Sequence, residues 1–200
     1  MPRTLDPDRR GAILDAAHAV FARKGYAATG IADVAGELGI GHGTVYRYFA
    51  NKREVAAAVL ERAVARVADV VAAERPDVTA SLPAYRAQVE RIGERLFALF
   101  IEDPALGRLL YDLPAADEEL RQRLGRAFDL FADYTAAYLH NGVTQGFLRD
   151  DLDVAVTARI VNAMIFEGAA QVSQAADPRA LGQRWIGAVI TLMFAGIAPR

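Results

Sequence analysis

The sequence predicts an all-α fold of about nine helices, and three observations carry that prediction. About a fifth of the positions are Ala, the strongest helix former. Period-two runs of Val, Ile, Thr and aromatic residues, which mark half-buried strands, are missing. Capping and breaking residues recur at intervals that suit helices and divide the chain along its whole length.

Taken in order, Asp6-Pro7 supplies an N-cap and a first helical residue. Ile13, Leu14, Ala17 and Phe21 form one face of the first helix, which ends near Gly25. Thr29 is expected to open a second helix with Ile31, Val34, Ala35 and Leu38 inward and Gly39 as terminator. A short third helix is expected from about Gly41 to Phe49. Asn51 to Glu54 has capping-box spacing for a long fourth helix, with Val55, Val59, Ala63, Val67 and Val70 as its stripe and Pro76 beyond its end. Ser81 and Pro83 start a fifth helix, and Asp103-Pro104 a short sixth. Pro114 is expected to precede a seventh, stopped by Gly146. Asp153 caps an eighth and Pro178 begins a ninth.

Apolar residues make up 53% of the 200 positions. That excludes intrinsic disorder and leaves apolar surface for a subunit interface or a cavity. With no Cys, disulfides, thiolate zinc sites and Cys nucleophiles are excluded. The longest apolar stretch, Ile186 to Ala198, is broken only by Thr191 and falls short of the roughly 20 residues of a membrane span. Met1 to Arg10 is polar, without the apolar core of a secretion signal. A cytoplasmic protein without membrane contact is expected. The formal charge is −2, yet residues 1–53 hold eight bases against five acids, and both lysines, Lys24 and Lys52, lie there. Such asymmetry points to nucleic acid.

The first three helices carry the functional signal. A helix of about eight residues, the turn Gly39-Ile40-Gly41 and a second short helix make a helix-turn-helix signature, whose second helix enters the major groove. Val45 and Phe49 at i, i+4 face inward, so His42, Thr44, Tyr46, Arg47 and Tyr48 project outward, with Tyr46 the more buried tyrosine of the two. A glycine-rich nucleotide loop would follow a strand, whereas Gly39-x-Gly41-x-Gly43 joins two helices. Lys52 and Arg53 fall in the first turn of the fourth helix, where the macrodipole disfavours cations. An approaching phosphate explains them where helix stability does not. His18, His42 and His140 show no metal-ligand spacing, and no catalytic constellation appears.

Residues 8–60 resemble the amino-terminal domain of TetR-family transcriptional regulators. The matching stretches are Ile13 to Phe21 with Gly25-Tyr26, Thr29 to Ala35, Leu38-Gly39-Ile40, Gly43-Thr44-Val45-Tyr46-Arg47-Tyr48-Phe49, and Asn51-Lys52. The resemblance implies a homodimeric repressor that binds double-stranded DNA at an inverted repeat and is released by a small apolar effector, with no catalytic activity, cofactor or metal. Residues 1–53 become the DNA-binding domain, helix four (about 51–75) the connection, and 54–200 the ligand-binding and dimerisation domain. Carried over by position, Thr44, Tyr46, Tyr48 and Lys52 look like phosphate contacts, and His42, Gly43 and Arg47 like base-reading positions. Thr29 begins the helix that crosses the backbone, and Gly41 permits close approach. Gly30 stands where many members carry a hydroxyl residue, which removes one phosphate contact.

Beyond residue 60 the same resemblance places a ligand cavity among helices five to eight. Its candidate contacts are Phe97, Phe100, Tyr111, Phe128, Phe131, Tyr134 and Tyr138, with Asn162 and Glu167 as polar orienting groups. The last two helices combine small residues with bulky ones. Leu181, Trp185, Ala188, Val189 and Leu192 are the expected dimer interface.

Overall fold

The computed structural model describes residues 6–197, with side chains to Ala195. Nine helices and no strand occur among the described residues: α1 (Pro7–Lys24), α2 (Ile31–Glu37), α3 (His42–Tyr46), α4 (Lys52–Ala72), α5 (Leu82–Glu102), α6 (Pro104–Ala116), α7 (Glu118–Thr144), α8 (Val154–Gln174) and α9 (Pro178–Ile197). None is long and apolar enough to cross a membrane.

The caps explain most boundaries. Asp6, Ser81 and Asp153 accept backbone N–H bonds in the first turns of α1, α5 and α8. Asp117 and Asp177 do the same for α7 and α9. Gly25, Gly39 and Gly146 have φ of 79°, 62° and 75°, a conformation that a side chain resists, and each lies just past a helix.

Three boundaries differ from expectation. The second helix starts at Ile31, because Thr29 closes the preceding turn: its hydroxyl donates to the Gly25 carbonyl at 2.7 Å. Gly30 takes the cap position, and Asp33 accepts its N–H at 2.8 Å. The third helix is only five residues long, with Arg47 and Tyr48 in the turn after it. Pro114 lies inside α6 rather than ahead of a new helix; the break falls at Asp117, whose carboxylate starts α7.

The chain divides into two compact units, one of residues to Ala65 with Arg108–Leu124, the other of Arg66–Gly107 with residues from Gly125 on. In the first, Ile13, Val34, Val45, Phe49, Val55 and Val59 are buried. Arg23–Glu37 and Lys24–Asp33 pair at 2.6 Å each and tie α1 to α2. In the second, α5, α8 and α9 pack on one another around a core that includes Tyr85, Tyr138, Leu139, Val161, Ile190 and Phe194. Gly168 of α8 sits where an added Cβ would collide with Trp185 and Phe97, so the glycine sets how closely α9 approaches. Ala158 and Ala169 of α8 are buried as well, while Ala155 and Ala163 are exposed.

Candidate nucleic-acid interface and ligand cavity

Within the first unit, α3 rests on Val45, fully buried, with Phe49 closing the turn behind it. Their i, i+4 spacing fixes which side chains leave the surface. His42, Tyr46 and Arg47 are exposed, and Thr44 and Tyr48 half-buried. Tyr46 is 51% exposed, so the two tyrosines are reversed from expectation. The His42 and Tyr46 rings meet edge to face at 6.3 Å, one turn apart, and form an aromatic ridge along α3. Gly41 and Gly43 have nothing within 4 Å of where a Cβ would stand. Gly41 also has an ordinary φ of −70°. Packing demands glycine at neither position.

Two expected DNA-binding residues, Thr29 and Lys52, have partners within the unit. Thr29 is 2% exposed and its hydroxyl is committed to Gly25, so its side chain is not presented. Lys52 donates to the Tyr26 carbonyl at 2.9 Å, with its ammonium 4.3 Å from the centre of the Tyr26 ring. Arg53 pairs with Asp117 at 2.8 Å. The two cations in the first turn of α4 are therefore offset by partners inside the same unit, and helix stability does account for them. Burial pushes the Tyr26 phenol up, with the nearby Asp117 charge adding to it. The sequence signal for this cluster was present in Gly25-Tyr26 and Asn51-Lys52, but their pairing is long-range. Arg47 is left as an exposed cation without an ion-pair partner among the described residues.

The second unit holds a largely apolar cavity. Of the expected contacts, Phe100, Phe131, Tyr138 and Asn162 line it. Phe97 is buried elsewhere, against Gly182 and beneath Gly168. Tyr111 is 43% exposed and belongs to the first unit. Phe128 stacks on Phe166, itself a lining residue, at 4.5 Å but lies at the surface. Tyr134 is half-buried off the cavity wall, and Glu167 is exposed, accepting from Gln171. Sequence reasoning weighted aromatics and so missed the aliphatic wall, which includes Val67 and Val71 of α4, Val89 and Ile92 of α5, and Ile186 and Ile190 of α9. Their i, i+4 stripes were visible, but a stripe does not distinguish cavity from core.

Polar groups at the cavity edge hold the end of α4. Tyr138 donates to the Glu74 carbonyl at 2.7 Å and lies 3.3 Å from that of Val71. The Glu74 carboxylate accepts from Arg91 and Gln88 of α5. The Arg91 bond holds it below the usual carboxylate range, against burial. Burial pushes the Tyr138 phenol up to about 12. No cluster of three or more His, Cys, Asp or Glu among the described residues is placed to hold a metal.

Of the expected dimer residues, Val189 is 6% exposed and faces the cavity of its own subunit. Trp185 is half-buried, its Nε1 donating to the Met164 carbonyl at 2.9 Å. Val189 is covered within its own chain, and Trp185 is tied to α8. Leu181 is half-buried, while Ala188 and Leu192 are exposed, Leu192 by 61%. Val156 and Ile160 on α8 are also over half exposed.

A family model described as bacterial regulatory proteins, tetR family, matches residues 13–59, which span α1 to α3 and the start of α4. An HTH-type transcriptional regulator of Bacillus subtilis, YfiR, is 32% identical over 155 residues, 76% of this chain and 73% of that protein. This chain belongs to the tetR family. The transcriptional repressor KstR2 of Mycobacterium tuberculosis is 29% identical over 157 residues, 76% of each chain. The crystal structure of the transcriptional regulator FadR from Bacillus subtilis with stearoyl-CoA shares the fold, at a TM-score of 0.73 and 22% identity, over 90% of this chain and 97% of that one. All three are named as regulators and none as an enzyme.

Proposed function

We propose that this tetR-family protein is a transcriptional repressor whose residues 1–53 read an inverted-repeat DNA operator and whose second unit binds a small, largely apolar effector that releases it. The observation that carries the reading is α3 with its flanking turns: a five-residue helix with Val45 inward and Phe49 buried behind it, an exposed His42–Tyr46 ridge, an exposed Arg47, and two glycines that packing does not need. A flat, sparse surface with one free guanidinium suits the floor of a major groove, where Arg donates to guanine edges. Repression agrees with the KstR2 relative, and an apolar effector with the lipid thioester held by the FadR neighbour.

A homodimer presents two such heads to two half-sites. The exposed apolar stripe Val156–Ile160 on α8 and Ala188–Leu192 on α9 supports an interface there. The effector acts through α4, because Val67 and Val71 form part of the cavity wall and Tyr138 holds the end of the same helix that starts beside α3. Displacing Val71 or Tyr138 moves α4, and coupling of about 1–3 kcal/mol weakens DNA binding roughly 5–150-fold. Footprinting on the protein's own promoter region tests the reading. Two protected half-sites about one helical turn apart support it, and uniform protection at every sequence overturns it.

A further inference from the structure

The cavity wall carries a side-chain amide that the fold leaves unpaired. Asn162 of α8 lines the cavity, and Thr135 of α7, also on the wall, donates its hydroxyl to Asn162 Oδ1 at 2.8 Å. Asn162 Nδ2 is buried with no hydrogen-bond partner. Two other buried side-chain atoms lack a partner among the described residues, Gln88 Oε1 and Arg123 Nε, and neither residue lines the cavity. An unpaired buried amide N–H is costly, and an apolar residue of the same shape would avoid the cost. The hydroxyl of Tyr138 is already committed to the Glu74 carbonyl. No lining residue is charged, so a carboxylate or ammonium brought into this space loses its water and meets no counter-charge.

We propose that Asn162 Nδ2 donates to a carbonyl oxygen of the effector. The part of the effector held in the cavity is then a neutral apolar body bearing one acceptor oxygen, as in a ketone, ester or thioester. This inference rests on the cavity being the effector site.

The test uses four probes on the full-length protein: 2-octanone, octane, octanoate and choline. Binding is followed by emission of the single tryptophan, Trp185, which neighbours the lining residue Ile186. The ratio of 2-octanone to octane affinity in the wild type is expected to exceed that in Asn162→Leu roughly 5–150-fold, with octanoate and choline weaker than the ketone. Octane binds Asn162→Leu at least as well as it binds the wild type. Asn162→Ala repeats the comparison without the bulk of Leu. An unchanged ratio in both Asn162 variants overturns the inference, as does a preference for choline or octanoate. If no probe binds while operator DNA still does, the cavity reading falls and this inference with it.

Discussion

Removing one oxygen atom, in Tyr138→Phe, is expected to loosen the end of α4 without opening a hole. Tyr138 is 5% exposed and its ring packs in the second unit's core, so Phe keeps the apolar contacts. What disappears is the bond to the Glu74 carbonyl at 2.7 Å and the longer approach to that of Val71. These carbonyls lie at the C-terminal end of α4, where helical carbonyls run out of partners along the chain. A neutral hydrogen bond contributes about 0.5–1.5 kcal/mol, and a buried acceptor left unpaired costs about 1–3 kcal/mol. Glu74 is only half-buried, so water repairs part of the loss and about 1–2 kcal/mol remains. For a chain of this length that is a fall in Tm of about 2–8 °C at pH 7. The pH dependence supplies a second readout. Because burial raises the phenol in the folded state from about 10 to about 12, the tyrosine favours folding below pH 10 and that contribution is lost as pH rises through 12. The variant should lose less stability than the wild type across that window. Thermal melts of both proteins without ligand at pH 7 and in steps from 9 to 12 measure both effects. A variant with the same Tm and the same alkaline limb would refute the idea that this hydroxyl holds α4.

The other predictions concern the DNA-reading head, the interface and acid. Arg47→Ala should weaken binding to the preferred operator by about 1–3 kcal/mol more than binding to random DNA, read by fluorescence anisotropy. Gly43→Leu should leave the Tm unchanged or raised, since nothing lies within 4 Å of the new Cβ, yet abolish operator binding by filling the groove-facing surface. Lys52→Ala should weaken all DNA sequences alike and also lower the Tm, because it removes a charged bond to the Tyr26 carbonyl; an unchanged melt would count against that structural role. Leu192→Arg should shift sedimentation from dimer to monomer with an unchanged circular dichroism spectrum, and a persisting dimer would move the interface elsewhere. Asp33, held low by the Gly30 N–H and then by Lys24, and Glu74, held low by Arg91, contribute stability above their unfolded values near pH 4. That contribution is lost as pH falls through the lower folded values, so acid melts of Glu74→Gln should be flatter than wild type below about pH 4.

The caps made the helix order legible. Asp6, Asp153 and the glycines with positive φ act within a few residues of themselves, so local chemistry suffices to place them. Val45 and Phe49 were legible for the same reason, since i, i+4 spacing fixes a face whatever lies beneath it. Long-range partnership was not legible. Lys52 seen alone is a cation at the unfavourable end of a dipole; only folding brings the Tyr26 carbonyl beneath it, 26 residues away in sequence. Val189 fails in the same way. Its apolar bulk on the last helix suits a dimer seam as well as a cavity wall, and the choice depends on which face α8 covers.

These long-range bonds have a shared consequence for signalling. α4 is 21 residues long, about 32 Å at 1.5 Å per residue. Its first residue, Lys52, donates to a backbone carbonyl of the α1–α2 turn, and the carbonyls past its last turn accept from Tyr138 on the cavity wall. A helix free at either end absorbs a push by fraying or swinging. The proposed function requires one held at both ends to pass the displacement on. The unpaired Asn162 stands on the same wall as Tyr138. Under the proposed function, a ligand that satisfies Asn162 and crowds Tyr138 binds better when the end of α4 moves, and that difference in affinity between two α4 positions is what release from DNA requires.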